Sequence, residues 1–122
     1  MYCGFLLKKG NMNVKLEDLE INGYKIYQDK DSFNFGIDAV LLANFALMNI
    51  DAATYIDKEI KICDFCSGNL PIPLIMYAKR KKYFTCDIKI DAIEINEKQV
   101  ELSNKSLKYN LVIKSTLIPL FL

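Results

Sequence analysis

Two short apolar runs, residues 59–66 and 87–95, each lead through a turn into a segment of helical character. The first carries Ile60, Ile62, Cys63 and Phe65 and ends in Ser67-Gly68-Asn69. The second carries Ile88, Ile90, Ala92, Ile93 and Ile95 and ends at Asn96. Apolar runs this short, bounded by turn residues, read as buried strands. After the first, Ile72, Leu74, Ile75, Met76 and Ala78 supply a helix whose last turn is basic. Its start is expected near Pro73, because a residue preceding proline is pushed out of the helical region while proline itself is tolerated in a first turn. After the second run, Asn96 reads as the N-cap of a helix from Glu97 to about Tyr109, with Val100, Leu107 and the following Leu111 in register and Asn110 as the stop. Residues 111–122 can begin a third strand.

Alternation of strand and helix builds a parallel sheet of Rossmann type. Ahead of it, residues 15–28 alternate weakly (Leu16, Leu19, Ile21, Tyr24, Ile26) around Asn22-Gly23, a strong hairpin signal. A helix over 39–48 follows, with Asp38 as a fitting N-cap and Leu41, Leu42, Phe45 and Leu47 as its apolar face. At 122 residues the chain is long enough for one domain. It divides into a hairpin-and-helix arm, 1–50, and a sheet domain, 51–122.

Composition removes several chemistries. Histidine is absent, and with it the commonest general base and metal ligand. The net charge of +1 gives no bulk pull toward nucleic acid, so a local basic patch would have to provide one. In residues 1–10 the lysines follow the apolar stretch, the wrong order for an export signal, and the apolar run 111–122 is too short to span a bilayer. The four cysteines are therefore expected as reduced thiols in the cytoplasm. Cys63 and Cys66 form a C-x-x-C, but Cys63 falls inside a strand instead of at a helix N-terminus, and zinc would lack further ligands. A small buried apolar cysteine is the expectation, with no metal site. Lys79-Arg80-Lys81-Lys82 could touch RNA phosphate, yet cations at a helix end also suit the dipole and solvent, and that reading is favoured.

Chemistry can reside at two strand ends. Asp64-Phe65-Cys66-Ser67-Gly68-Asn69 joins a strand to a helix, where small turn residues let a ligand approach backbone amides. The same stretch also suits an ordinary turn with Asn69 capping the helix. Glu94 ends the second strand, where a carboxylate can accept both hydroxyls of a ribose or stand solvated.

Three segments occur here in one order. They are Phe33-Asn34-Phe35-Gly36-Ile37-Asp38-Ala39-Val40-Leu41-Leu42, Asp64-x-Cys-Ser-Gly-Asn with Ile72-Pro73-Leu74, and Ile93-Glu94-Ile95 before a helix ending Asn110-Leu111. Together they resemble the bacterial tRNA (adenine-N6)-methyltransferases that modify the adenosine beside the anticodon of valine tRNA. The likeness runs from about Lys15 to Leu111. It implies S-adenosylmethionine as cofactor, tRNA as partner and a class I methyltransferase fold. That fold is α/β and Rossmann-like, here with three parallel strands at most and helices on both faces, preceded by a small hairpin and a helix. By the same resemblance, Asp64, Cys66, Gly68 and Asn69 lie against the methionine part of the cofactor. Glu94 binds the ribose, and Gly36 and Asp38 belong to a segment closing over the pocket.

The chain departs from that family at several points. Leu70 stands where a further glycine is usual, and Pro71 where an aliphatic residue is. No acidic residue follows in 113–122 to meet an adenine ring. The Asn-Pro-Pro-Tyr tetrapeptide that receives the target amino group is absent. No catalytic residue is therefore assigned. The chain reads as the N-terminal, cofactor-binding portion of such an enzyme, inactive alone. Alternatives are a truncated, non-catalytic remnant or a piece of a protein glutamine N-methyltransferase. In the family's fold the first strand pairs with the fourth, so an uncovered sheet edge is expected here, inviting a partner chain or aggregation.

Overall fold

The structure is a computed structural model that describes residues 13–32, 34–55, 58–110 and the backbone of 117–121. An antiparallel hairpin comes first, β1 (Val14–Ile21) with β2 (Tyr24–Asp29). Its two turn residues both have positive φ, 51° at Asn22 and 77° at Gly23, the geometry that asparagine and glycine tolerate best. A bulge between Asp18 and Ile21 places Glu20 at φ 56° and adds twist.

Helix α1 (Ile37–Asn49) follows, then a short 3-10 turn (Ala52–Tyr55). The sheet is β3 (Ile60–Phe65), β4 (Ile88–Glu94) and β5 (Leu117–Phe121), all parallel in the order β3-β4-β5. Helices α2 (Pro71–Tyr83) and α3 (Glu97–Asn110) are its crossovers. The strand–helix alternation anticipated from the sequence is therefore present. Of residues 111–122, the structure describes β5 alone, and Leu111 lies outside the described residues.

One core joins hairpin, helices and sheet. Ile26, Leu47, Ile60, Leu74, Ile90 and Leu107 belong to a single buried cluster and are each no more than 1% exposed. Each such side chain stabilises the fold by about 1.5–3 kcal/mol on burial. Six consecutive residues of α2, Pro73 to Ala78, are buried, because the helix is packed by α1, the hairpin and the sheet together.

The free edge of β2 is satisfied by side chains. Ser106 Oγ accepts from the Tyr27 N–H at 2.9 Å, and Asn110 accepts from the Lys25 N–H and donates to its carbonyl, at 2.9 and 2.7 Å. Asn110 does close α3, as expected, and also clamps the hairpin to it.

Local expectations are corrected in several places. Helix α1 buries Ala39, Ala43 and Leu47, while Leu41, Leu42 and Phe45 are 53–65% exposed. Helix α1 packs on α2, and Ala43 and Leu47 enter the core cluster from it. Asp38 is not its N-cap: Gly36 holds that position without a side-chain bond, and Asp38 sits in the first turn, where a negative charge suits the dipole. Helix α2 starts at Pro71, not near Pro73. Helix cover is one-sided at β3, where Lys61, Cys63 and Phe65 are exposed. Cys63 is thus not the buried apolar residue expected; its strand pairs on one edge only among the described residues.

Candidate functional site

Register decides the site. β3 and β4 run parallel with Asp64 beside Ala92 and Phe65 beside Ile93, so both carboxyl ends finish together and Glu94 lies level with the turn after β3. Ligands of open parallel sheets sit outside these ends.

The turn from Cys66 to Leu70 alternates its backbone sharply. Cys66, Gly68 and Leu70 all have positive φ, 59°, 59° and 75°. Glycine does this freely; an L-residue pays about 1–2 kcal/mol for it. The strained turn is held from every side. Ser67 N–H donates to the Ile93 carbonyl at 3.0 Å, and Gly68 N–H to Glu94 Oε1 at 2.8 Å. The single Ser103 Oγ proton is shared between the carbonyls of Gly68, at 3.0 Å, and Gln99, at 2.8 Å, and Leu70 N–H donates to the Ser67 carbonyl at 3.0 Å. Asn69 Nδ2 donates to the Tyr27 carbonyl at 2.8 Å, so this side chain ties the turn to the hairpin and does not cap α2.

Glu94 is oriented by the same network. One carboxylate oxygen accepts from Gly68 N–H and the other from Asn96 N–H, each at 2.8 Å. Carboxylate oxygens have two acceptor sites each, so one on each oxygen is left over for a ligand's hydroxyls. Asn96 in turn caps α3, accepting from Lys98 and Gln99 N–H at 3.0 and 3.3 Å.

Between this turn and α1 lies a cleft of about 750 Å³, within the usual range for small-molecule sites. Asp64, Cys66, Gly68, Asn69 and Glu94 line it, and so does Asp38 from α1. The structure therefore gathers these sequence-predicted residues in one place. Gly36 does not line the cleft; its carbonyl accepts from Ala39 N–H at 3.2 Å and it opens α1. Leu70 is fully buried in the core and not part of the lining. The departure from glycine there strains the backbone and takes no space from a ligand.

Two polar atoms point to a missing partner. Asp64 Oδ2 and Ser67 Oγ are buried and have no hydrogen-bond partner among the described residues, and both residues line the cleft. Burial, with a smaller part from the neighbouring Glu94 charge, pushes the Asp64 carboxyl up to about 6. A buried acceptor left unpaired costs about 1–3 kcal/mol, which a bound ligand can recover.

Sequence reasoning missed Gln99 and Ser32 as lining residues and Ser103 as a contact of Gly68, and it named Ser67 and Phe35 within their segments without giving them a role in the lining. A signal for Ser103 existed, since Gln99 and Ser103 are four apart and share a helix face with Val100 and Ser106. Lys79 and Arg80 lie toward the far end of α2, roughly 12–14 Å from the cleft-lining Pro71 by helical rise. Lys79 Nζ donates to Asn44 Oδ1 at 2.7 Å, and Arg80 stacks over the Tyr77 ring at 3.8 Å. These contacts account for half of the basic run without a nucleic acid.

No family model and no curated protein matches the chain. Solved structures do share its fold. Trm5 of Methanocaldococcus jannaschii, in complex with adenosine, aligns over 92% of this chain and 29% of its own, with 20% identity and a TM-score of 0.59. The tRNA (uracil-54, C5)-methyltransferase of Pyrococcus abyssi, in complex with S-adenosyl-L-homocysteine, aligns over 89% of this chain and 24% of its own, with 14% identity and a TM-score of 0.58. A Pyrococcus horikoshii protein described as a transferase gives 93%, 37%, 14% and 0.62 in the same order. The chain thus spans between a quarter and somewhat over a third of the proteins it resembles. What it shares with them is the fold, a parallel α/β arrangement.

Proposed function

We propose that the cleft is an S-adenosylmethionine site and that the chain is the cofactor-binding portion of a methyltransferase acting on tRNA. The observation that carries this reading is the bond from Gly68 N–H to Glu94 Oε1, 2.8 Å. It joins the turn after the first sheet strand to the acid closing the second, with both oxygens of that acid held for a ribose diol. The unpaired Asp64 Oδ2 and Ser67 Oγ fit the polar methionine end of the same molecule. The volume and the apolar Phe35, Leu42 and Ile72 in the lining suit a nucleoside. When bound, the cofactor would supply an electrophilic methyl group. Residues of this chain would bind and orient it: Glu94 at the ribose, Asp64 and Ser67 at the other end, Asp38 from α1 at the rim. Fold neighbours bearing adenosine and S-adenosyl-L-homocysteine support the ligand class.

Adenine N6 as the methylated atom, and valine tRNA as its carrier, rest on the resemblance of the three sequence segments, of which 33–42 is the most specific, and form the finer part of the proposal. A cytoplasmic location goes with it; among the described residues no helix is long and apolar enough to cross a membrane. Because the sequence contains no Asn-Pro-Pro-Tyr, the chain by itself is proposed to bind cofactor without transferring methyl groups.

Calorimetric titration with S-adenosylhomocysteine tests the reading. Binding weakened about tenfold or more by Glu94→Ala is expected, since the diol loses a charged acceptor. No heat at millimolar ligand, or binding indifferent to Glu94→Ala, would remove the site from consideration.

A further inference from the structure

The cleft has two walls, and the end of one strand holds both. The turn after β3 forms the first wall. The segment leading from the hairpin into α1 forms the second, with Ser32, Phe35 and Asp38 in the lining. At the end of β2, the Tyr27 carbonyl accepts from Asn69 Nδ2 at 2.8 Å and so ties the turn. The next residue, Gln28, reaches the other wall: its Oε1 accepts from Phe35 N–H at 3.3 Å. Asp29 takes the residues between. Its carboxylate accepts from Asp31 N–H and Ser32 Oγ, each at 3.0 Å, and its carbonyl accepts from Ser32 N–H at 3.2 Å.

Burial leaves these groups no alternative partner in solvent. Gln28 is 1% exposed and Asp29 5%. The orientation of the Gln28 amide follows from its chemistry. Nε2 donates to the Glu17 carboxylate, which when ionised can only accept, and that leaves Oε1 for Phe35. Among the described residues, Gln28 Oε1 is the one acceptor of Phe35 N–H. A buried polar network with its members paired specifies a single arrangement of the chain, where apolar residues of similar size would allow several.

We infer that Gln28 is a positioning residue for the cleft: through the Phe35 amide it fixes the wall on the α1 side relative to the turn that Tyr27 holds. The inference rests on the S-adenosylmethionine reading above and adds to it a residue outside the lining, which acts only through Phe35. A ligand gripped from two sides is bound by those molecules in which both walls stand at the right spacing. Apparent affinity falls with the fraction of molecules that keep it.

Gln28→Met preserves the length and apolar bulk of the side chain and removes its acceptor. Calorimetric titration with S-adenosylhomocysteine, run well below the melting temperature of each variant so that all are folded, should give binding weaker by about fivefold or more. Amide exchange at Phe35 should accelerate more than exchange in β4, whose core amides report global unfolding. Glu17→Gln retains an acceptor for Gln28 Nε2 and leaves Oε1 on Phe35, so it should bind as the unaltered chain does. A folded Gln28→Met of unchanged affinity, or a Glu17→Gln that loses as much, would overturn the positioning role and leave the nucleoside site standing. So would a Phe35 amide that exchanges without protection in the unaltered chain, a measurement independent of any variant. Absence of binding by the unaltered chain would overturn the cofactor reading, and the inference with it.

Discussion

Leu70 and Cys66 occupy the same kind of backbone well, with φ 75° and 59°, yet their side chains lead opposite lives. Replacing each by glycine should move stability in opposite directions. Releasing an L-residue from the left-handed region recovers about 1–2 kcal/mol, less about 0.4–1 kcal/mol for the greater freedom glycine has when unfolded. Cys66 is exposed, so little packing is lost and Cys66→Gly should be neutral to about 1 kcal/mol stabilising. Leu70 is 0% exposed and belongs to the core cluster. Removing a buried leucine side chain costs about 2–5 kcal/mol, so Leu70→Gly should destabilise by about 2–4 kcal/mol after the strain is relieved. Urea denaturation followed by circular dichroism gives both values, and a melt should fall by about 4 °C or more per kcal/mol. A stabilising Leu70→Gly would show that its side chain is not core and that the turn is misplaced. Clear loss of stability from Cys66→Gly would refute the strain argument.

Other outcomes follow from the same geometry. The folded Asp64 carboxyl holds its proton up to about 6, higher than it would unfolded, so its contribution to stability falls as pH rises from about 4 through that value. Asp64→Asn should therefore raise the melting temperature at neutral pH and leave it unchanged near pH 4; equal gains at both would deny the shift. Asn110→Ala removes both bonds to the Lys25 peptide and should cost about 1–3 kcal/mol, with enhanced amide exchange at Lys25. Unaltered exchange there would mean that the clamp is not formed. Phe65 is 71% exposed on the uncovered side of β3, and Phe65→Lys should lower light scattering in concentrated solution without shifting the melt. Scattering unaffected by the change would place association elsewhere.

Much of the local structure was legible in the residues themselves. Asn22-Gly23 admits few conformations besides a tight hairpin turn, because both residues tolerate positive φ. Asn96 before Glu97 marks a helix start, because a short side-chain acceptor can reach the first free amides. Runs such as Ile88-x-Ile90-x-Ala92 can bury one face only as a strand. Glu94 at the end of such a run was legible as a site candidate for the same reason.

Other features needed the third dimension. Which side of α1 turns inward depended on its neighbours: Ala43 and Leu47 join the core cluster with α2, and Leu41 and Phe45 do not. Left-handed backbone at Cys66 and Leu70 is invisible in residue type, since neither is glycine, and is imposed by bonds arriving from Ile93, Glu94 and Ser103. Asn69 reads as a cap until the hairpin carbonyl of Tyr27 is beside it. Hydrophobic pattern, turn chemistry and caps act over a few residues, and so one dimension records them. The cleft, its surplus of negative charge and the unpaired Asp64 exist only because parallel register brings residues 26 positions apart, Gly68 and Glu94, within 2.8 Å.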